Sequence, residues 1–192
     1  DLSSNNITEI TQHSFANLTL LEELDLSSNN ITEITQHSFA NLTLLEELVL
    51  ADNKIERIHH RAFARNTHLK RLSLQKCSLV NVPWEIFEHM KQLTALVLAD
   101  NKIERIHHRA FARNTHLKRL SLQKCSLVNV PWEIFEHMKQ LTALVLADNK
   151  IERIHHRAFA RNTHLKRLSL QKCSLVNVPW EIFEHMKQLT AL

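Results

Sequence analysis

The sequence predicts an α/β-class solenoid of eight coils, with a parallel β-sheet on its concave face and an irregular, extended or short helical convex side. The first observation is an exact internal repeat: residues 1–24 recur at 25–48, residues 49–72 recur at 97–120 and 145–168, and residues 73–96 recur at 121–144 and 169–192. The second is that apolar residues occupy the same offsets in every 24-residue unit. Units of this length bury their apolar faces only against neighbouring units, as in a solenoid.

The three kinds of unit are named A (1–24), B (49–72) and C (73–96), so the order is A-A-B-C-B-C-B-C. We predict one solenoid over 1–192, with two A units in 1–48 and three 48-residue BC units in 49–192. Solenoids usually end in coils with a polar outer face, and no unit has that character. The sequence therefore predicts an uncapped array, whose partners are flanking repeats of a longer chain or further copies stacked end to end.

A short strand is predicted in each coil, because inward leucines alternate with other residues in stretches such as Leu48-Val49-Leu50. Neighbouring strands in a sheet are about 4.8 Å apart, so equal offsets of adjacent coils lie side by side. The chain contains no glycine. This excludes Gly-rich phosphate-binding loops, and it predicts that Asn, Asp and Ser make the tight turns.

The stretch Leu45-x-x-Leu48-x-Leu50-x-x-Asn53-x-Ile55 has the form LxxLxLxxNxI. With the 24-residue unit length and Phe63 eight residues after Ile55, it resembles the leucine-rich repeat family. The resemblance is to the typical class found in Toll-like receptors, small leucine-rich proteoglycans and variable lymphocyte receptors. It covers all 192 residues and implies a solenoid of stacked coils.

A polar ladder position follows each strand. Its residues are Asn5, Asn29, Asn53, Asn101 and Asn149 in units A and B, and Cys77, Cys125 and Cys173 in unit C. Asparagine supplies both donors and acceptors to adjacent turns, and the resemblance implies that cysteine is tolerated there. The cysteines are two coils or about 9.6 Å apart, too far for a disulfide or for shared zinc ligands. We predict three free, buried thiols and no metal site.

Charge is divided unevenly along the chain. Residues 1–48 hold eight of the 20 acidic residues and no Lys or Arg, so all 24 Lys and Arg lie in 49–192. Outward strand positions predict a basic comb on the concave face, with teeth about 9.6 Å apart: Lys70, Arg71, Lys118, Arg119, Lys166 and Arg167. A protein or a polyanion such as a sulfated glycan is the candidate ligand, and a merely solvated face is the alternative. Nucleic acid is disfavoured, because the face has no aromatic residue for base stacking.

Two columns of alternating charge are predicted to pair across B and C coils and to fix their register. One contains Asp52, Lys76, Asp100, Lys124, Asp148 and Lys172, and the other contains Arg61, Glu85, Arg109, Glu133, Arg157 and Glu181. Tryptophans at 84, 132 and 180 are predicted to lie beside the histidines at 60, 108 and 156. Asn66, Asn114 and Asn162 fill a slot that is apolar in the other units, which predicts local irregularity on the convex side of unit B.

Four sites match the N-x-[ST] acceptor pattern for N-linked glycans, and all lie in the A units: Asn6, Asn17, Asn30 and Asn41. All four are predicted to be exposed. They favour an extracellular or secreted glycoprotein, and an unmodified intracellular repeat is the alternative.

No unit combines a nucleophile, a base and an orienting acid, and identical coils offer no unique cleft. We therefore predict a protein that is not an enzyme and needs no cofactor. The leading hypothesis is an extracellular structural glycoprotein forming part of a filament or matrix. A receptor-like binding module that uses the concave face, and an engineered consensus array, are the alternatives. No stretch of the sequence is apolar enough to predict a membrane span.

Overall fold

The computed structural model describes residues 1–192. One three-residue strand in each of seven coils builds a parallel sheet, whose hydrogen-bonded order is β1 (Glu23–Asp25), β3 (Glu47–Val49), β5 (Arg71–Ser73), β6 (Ala95–Val97), β7 (Arg119–Ser121), β8 (Ala143–Val145) and β9 (Arg167–Ser169). A second parallel pair consists of β2 (Glu33–Ile34) and β4 (Arg57–Ile58). The predicted solenoid with a parallel sheet and little helix is confirmed.

Each strand pairs with the strand one unit away in the chain. Glu47 lies opposite Arg71, which lies opposite Ala95, and the same register continues to β9. The central leucine of each strand is buried, as in Leu48 and Leu96. The two flanking residues are therefore turned away from the core, because side chains alternate along a strand. This outward surface of the seven-stranded sheet is the concave face.

Phenylalanine at the fifteenth position of every unit forms the other side of the core. The rings of Phe15 and Phe39 lie 6.3 Å apart, those of Phe39 and Phe63 6.0 Å apart, and those of Phe87 and Phe111 5.1 Å apart. These rings belong to one continuous cluster of 48 buried residues. Burial between coils is therefore unbroken along the solenoid, as the repeat pattern predicts.

The ladder asparagines join each coil to the one before it. Asn101 donates its amide to the carbonyls of Leu98 in its own coil and Leu74 in the previous coil, both at 2.8 Å. Its Oδ1 accepts the main-chain N–H groups of Cys77 and Leu79 at 3.0 Å. Asn29, Asn53 and Asn149 are buried in the same way, whereas Asn5 is exposed and bonds only within its own coil.

The three cysteines are unpaired and buried. Cys77 donates its thiol to the carbonyl of Leu50 at 3.1 Å, but it offers no acceptor comparable to the asparagine Oδ1. Burial raises the pKa of Cys77 and of Cys125 to about 12, and it also raises the pKa of Cys173. The thiols therefore stay protonated and unreactive at neutral pH.

The turn after each strand has a residue in the left-handed region, and its identity corrects one prediction. Ser28 and Asp52 adopt φ of 54° and 56°, as expected for turns without glycine, but in unit C the position is taken by Lys76, Lys124 and Lys172 at 51° to 55°. A lysine has no side-chain acceptor to stabilise this conformation locally. Ser78, two residues after Lys76, is also left-handed at 61°.

The convex side contains a four-residue 3₁₀-helix in each C unit, at Trp84–Phe87, Trp132–Phe135 and Trp180–Phe183. Each follows a proline, which fixes the extended residue before the helix. No helix of the chain is long and apolar enough to cross a membrane.

The predicted irregularity in unit B is wrong. Asn66 is fully buried, and its main-chain N–H bonds to the Phe63 carbonyl at 3.1 Å, in the same turn that Leu42 makes with Phe39 at 3.0 Å. The side chain fits because its amide donates to the carbonyls of Phe39 and Leu42 in the previous coil, at 3.0 and 2.9 Å. Its Oδ1 has no partner, and the same holds for Asn114 and Asn162.

Candidate binding surfaces

The concave face presents three columns of side chains, each running across the strands. At strand β5 the columns hold Lys70, Arg71 and Ser73, and at the neighbouring strand β6 the same positions hold Thr94, Ala95 and Val97. Bulky cations thus alternate with small residues from strand to strand. The threonine hydroxyls are used internally, as Thr94 donates to the Lys70 carbonyl at 3.0 Å.

The first Lys–Arg pair of the predicted basic comb, which is Lys70 with Arg71, is neutralised by glutamates of the A units. Lys70 pairs with Glu46 at 2.6 Å. Arg71 bonds to Glu47 through Nε at 2.6 Å and also through its terminal nitrogen, with Glu23 at 4.0 Å. The hydrogen bond and charge of Glu47 raise the pKa of Arg71 above its ordinary value. Three equal teeth were predicted, so the first tooth departs from the prediction because its neighbouring strand is acidic.

The other two teeth remain free. Lys118, Arg119, Lys166 and Arg167 are exposed, and none of them forms an ion pair. Their neighbouring strands carry threonine and alanine in place of glutamate. Four positive charges of one face are therefore available to a ligand.

A groove of about 410 Å³ lies on this face, and two of these four cations, Arg119 and Arg167, border it. Its floor is made by small apolar side chains, which are Val49, Ala95, Val97, Ala143 and Val145, and Arg71, Arg119 and Arg167 line it. Sequence reasoning placed these residues on the concave face without recognising a groove. The signal was the alternation of Ala with Arg, which leaves space between the arginines.

The two predicted columns of alternating charge differ in outcome. In the first, each lysine pairs with the aspartate before it, at 2.9 Å for Lys76 with Asp52 and 3.6 Å for Lys124 with Asp100. The prediction that the alternating charges form one continuous ladder is wrong, because on its other side Asp100 accepts a hydrogen bond from Gln75 Nε2 at 3.3 Å. The second column forms no ion pair at all, so the prediction for Arg61 and Glu85 is also wrong.

The four glycan acceptor sites are not equally placed. Asn6 and Asn17 are exposed, whereas Asn30 and Asn41 are half-buried. Asn30 donates its amide to Asn6 Oδ1, and Asn41 donates to the Gln12 carbonyl at 3.3 Å. The predicted exposure therefore holds for Asn6 and Asn17 but not for Asn30 and Asn41, because adjacent coils bring the second A unit against the first.

Aromatic residues on the convex side stack differently from the prediction. Trp84 lies against His107 at 4.9 Å, and Trp132 lies against His155 at 5.1 Å, each one residue before the histidine that was expected. His107 in turn stacks on His108 at 4.3 Å. These neighbouring histidines face each other because the chain turns there. No group of three or more His, Cys, Asp and Glu side chains is arranged to hold a metal ion.

A family model described as leucine rich repeat matches residues 1–55, 21–79, 67–127 and 115–175. Among curated protein sequences, none matches the chain. A solved complex of TLR13 with ssRNA13 is 25% identical with a TM-score of 0.84, covering 98% of this chain and 26% of that one. A Leptospira interrogans LRR protein is 28% identical with a TM-score of 0.87, covering 100% of this chain and 47% of that one.

The Drosophila Toll–Spatzle complex has a TM-score of 0.74 at 22% identity, over 97% of this chain and 31% of that one, and it shows the fold alone. The chain spans less than half the length of each of these three structures. The family model nevertheless extends over most of the sequence. The chain belongs to the leucine-rich repeat family.

Proposed function

We propose that the chain is a binding module without catalytic activity, which holds an acidic, extended segment of a partner protein on its concave face. The observation that carries this proposal is the set of four exposed, unpaired cations beside the Ala/Val groove: Lys118, Arg119, Lys166 and Arg167. Small apolar floor positions admit a backbone, and the flanking cations recognise carboxylates.

The spacing of the cations fits a regular ligand pattern. Arg119 and Arg167 lie two strands apart, or about 9.6 Å, and a polyproline II segment advances about 3.1 Å per residue with three residues per turn. A segment of this conformation that crosses the strands would therefore present an acidic side chain to each arginine when every third residue is acidic, because those residues share one side of the segment.

The likeness to TLR13 supports ligand binding by this architecture, since that structure is described as a complex with ssRNA. For this chain a protein ligand is favoured over single-stranded RNA. Base recognition relies on aromatic stacking platforms, and the outward positions of β5 to β9 hold Arg, Ala, Ser and Val.

The test uses a 12-residue peptide with glutamate at every third position and a peptide of the same composition with clustered glutamates. The concave variant replaces Lys118, Arg119, Lys166 and Arg167 with alanine. Its matched control replaces Lys91, Lys139, Lys150 and Lys187, which are exposed and unpaired elsewhere. Calorimetric titration should give at least about tenfold weaker binding of the spaced peptide to the concave variant only. Equal losses in both variants, or no preference for the spaced peptide, would overturn the proposal.

We also propose that the protein is extracellular and glycosylated, on the basis of its four acceptor sites. Asn6 and Asn17 are the favoured positions because they are exposed, whereas the amides of Asn30 and Asn41 are already hydrogen-bonded. Intact mass before and after glycosidase treatment of protein from a secreting host tests this. A mass that does not change would oppose it.

The filament hypothesis remains a prediction, supported by the identity of the coils, because repeated equal surfaces favour open, head-to-tail contacts. Electron microscopy of the native material distinguishes long fibres from discrete particles. The engineered consensus array is the other hypothesis, and a complete lack of glycans on the protein would favour it.

A further inference from the structure

Two equivalent pockets lie on the convex side, one BC unit apart. The first is lined by Trp84, Glu88, Arg109, Arg113 and His137 and has a volume of about 290 Å³. The second is lined by Trp132, Glu136, Arg157, Arg161 and His185, at about 380 Å³. Each draws its tryptophan and glutamate from one C unit, its arginines from the next B unit and its histidine from the following C unit. We call these the paired convex pockets.

The charged groups of these pockets are not committed to one another. Arg109 and Arg113 are exposed and form no ion pair, although Glu88 lines the same pocket. The same is true of the second pocket. Each pocket therefore offers a pair of guanidinium groups that can bind an anion and a carboxylate that can accept hydrogen bonds from hydroxyl groups.

One wall of each pocket is apolar and fixed in place. Trp84 is half-buried and packs against the core, and its ring is held by the stack on His107 at 4.9 Å. Ala110 and Ala112 complete this wall beside the arginines. A rigid aromatic ring next to small residues suits a flat, partly apolar ligand surface, such as the face of a sugar ring.

We propose that the paired convex pockets bind acidic sugar units of a polysaccharide. The arginine pair takes the sulfate or carboxylate, the glutamate accepts ring hydroxyls, and the tryptophan contacts the sugar face. The glutamate argues against a ligand that is anionic at every contact, because a phosphate placed beside Glu88 would be repelled.

The spacing permits one chain to occupy both pockets. They are two coils apart, which corresponds to about 9.6 Å along the sheet and is comparable to a disaccharide unit. Linking two weak contacts in one ligand raises the overall affinity. The first BC unit differs, because its pocket of about 700 Å³ places Gln36, His37 and Asn41 where the others have the tryptophan and glutamate, although Arg61 and Arg65 are present.

The test titrates the 192-residue chain with a heparin-derived octasaccharide at fixed salt. The convex variant replaces Arg109, Arg113, Arg157 and Arg161 with alanine, and the four-lysine control variant defined above removes the same number of charges. Binding should weaken at least about tenfold in the convex variant and stay within about twofold in the control variant. Equal weakening in both would indicate nonspecific attraction to a basic protein and would overturn the proposal.

A second pair of substitutions separates a sugar site from a bare anion site. Glu88→Gln with Glu136→Gln preserves shape and makes the pockets more positive. We expect weaker octasaccharide binding, because the hydroxyl groups lose a charged acceptor, whereas a bare anion site would bind more tightly. Tighter binding, or equal binding of a single-stranded RNA of matched charge, would contradict the sugar assignment. The glutamate peptides test the concave proposal independently, so either proposal can fail alone.

Discussion

The fully buried asparagines of unit B show how a single polar residue can serve the contact between coils. Asn114 donates to the carbonyls of Phe87 and Met90 at 3.0 and 2.9 Å, while its Oδ1 has no partner. Both carbonyls already accept a main-chain N–H from their own coil. The amide therefore adds two bonds at the cost of one desolvated oxygen, and these terms are of similar size.

This balance predicts a small effect for one substitution at Asn114 and a large destabilisation for another. Asn114→Leu should change the free energy of unfolding by no more than about 1–2 kcal/mol, because Leu42 fills the equivalent slot and both terms are lost together. Asn114→Asp should destabilise by about 3–5 kcal/mol at pH 7, because a buried carboxylate faces two carbonyl oxygens. Urea unfolding at pH 7 and pH 4 measures both, and the loss should shrink at pH 4, where a protonated acid can donate. A fully stable aspartate variant at pH 7 would contradict this account.

The buried thiols predict a stability change at high pH. The pKa values of Cys77 and Cys125 are about 12 in the folded chain, against an ordinary value of 9.0. The unfolded state therefore loses these protons first, so the stabilisation is complete below pH 9 and is lost as the pH rises from 9 to 12. The slope reaches about 1.4 kcal/mol per thiol and pH unit. The free energy of unfolding, measured with urea from pH 8 to 11, should fall less steeply in the double variant Cys77→Ala with Cys125→Ala than in the original chain. An equal fall in both proteins would exclude the thiols as the cause.

At the level of the coil, the hydrogen bonds of the ladder position are complete only where the next coil has asparagine at that position. Asn101 Oδ1 accepts the N–H of Leu79, and Asn149 Oδ1 accepts that of Leu127 at 2.9 Å. Where a cysteine follows, the equivalent N–H of Ile103 has no acceptor in the protein, although Ile103 is buried. Each BC unit therefore has one strong and one weak coil boundary.

Restoring the asparagine should strengthen the weak boundary. Cys125→Asn places an acceptor opposite the Ile103 N–H and should raise the free energy of unfolding by about 1 kcal/mol. Asn101→Ala is the matched opposite change, and it should cost about 2–4 kcal/mol because it leaves the N–H groups of Cys77 and Leu79 unpaired. Chemical denaturation of both variants checks the pair. A destabilised Cys125→Asn variant would mean that the slot cannot accommodate the larger amide.

The elements also show how far sequence reasoning reaches. Strand positions, the buried leucines and the ladder followed from a strict period, since equal offsets must meet in a stacked sheet. The contacts of long side chains did not follow. Arg61 and Glu85 share an offset without pairing, and Trp84 contacts His107 rather than His108. The period of the sequence determines which backbone segments are neighbours, but it does not determine which groups the ends of long side chains contact.

For the whole molecule, identical sequence does not give identical surface. Lys70 and Lys118 occupy the same position of unit B, yet Lys70 is paired with Glu46 and Lys118 is free. The difference comes from the preceding coil, which is an A unit in one case and a C unit in the other. The two A units thus neutralise one end of the concave face and leave the free cations, and the groove beside them, to the later coils.

The same neighbour rule predicts the result of removing one internal BC unit. Deleting residues 97–144 joins a C unit to a B unit, a junction that already occurs twice in the chain, and leaves 144 residues. Because stability in a solenoid is close to a sum over coils and their boundaries, the shortened chain should fold cooperatively. Its urea m-value should be about three quarters of the original, since m scales with the surface exposed on unfolding. An unchanged m-value would mean that only part of the array unfolds in the measured transition. Octasaccharide binding should weaken together with the m-value, because the deletion leaves one of the paired convex pockets and removes the two-site attachment.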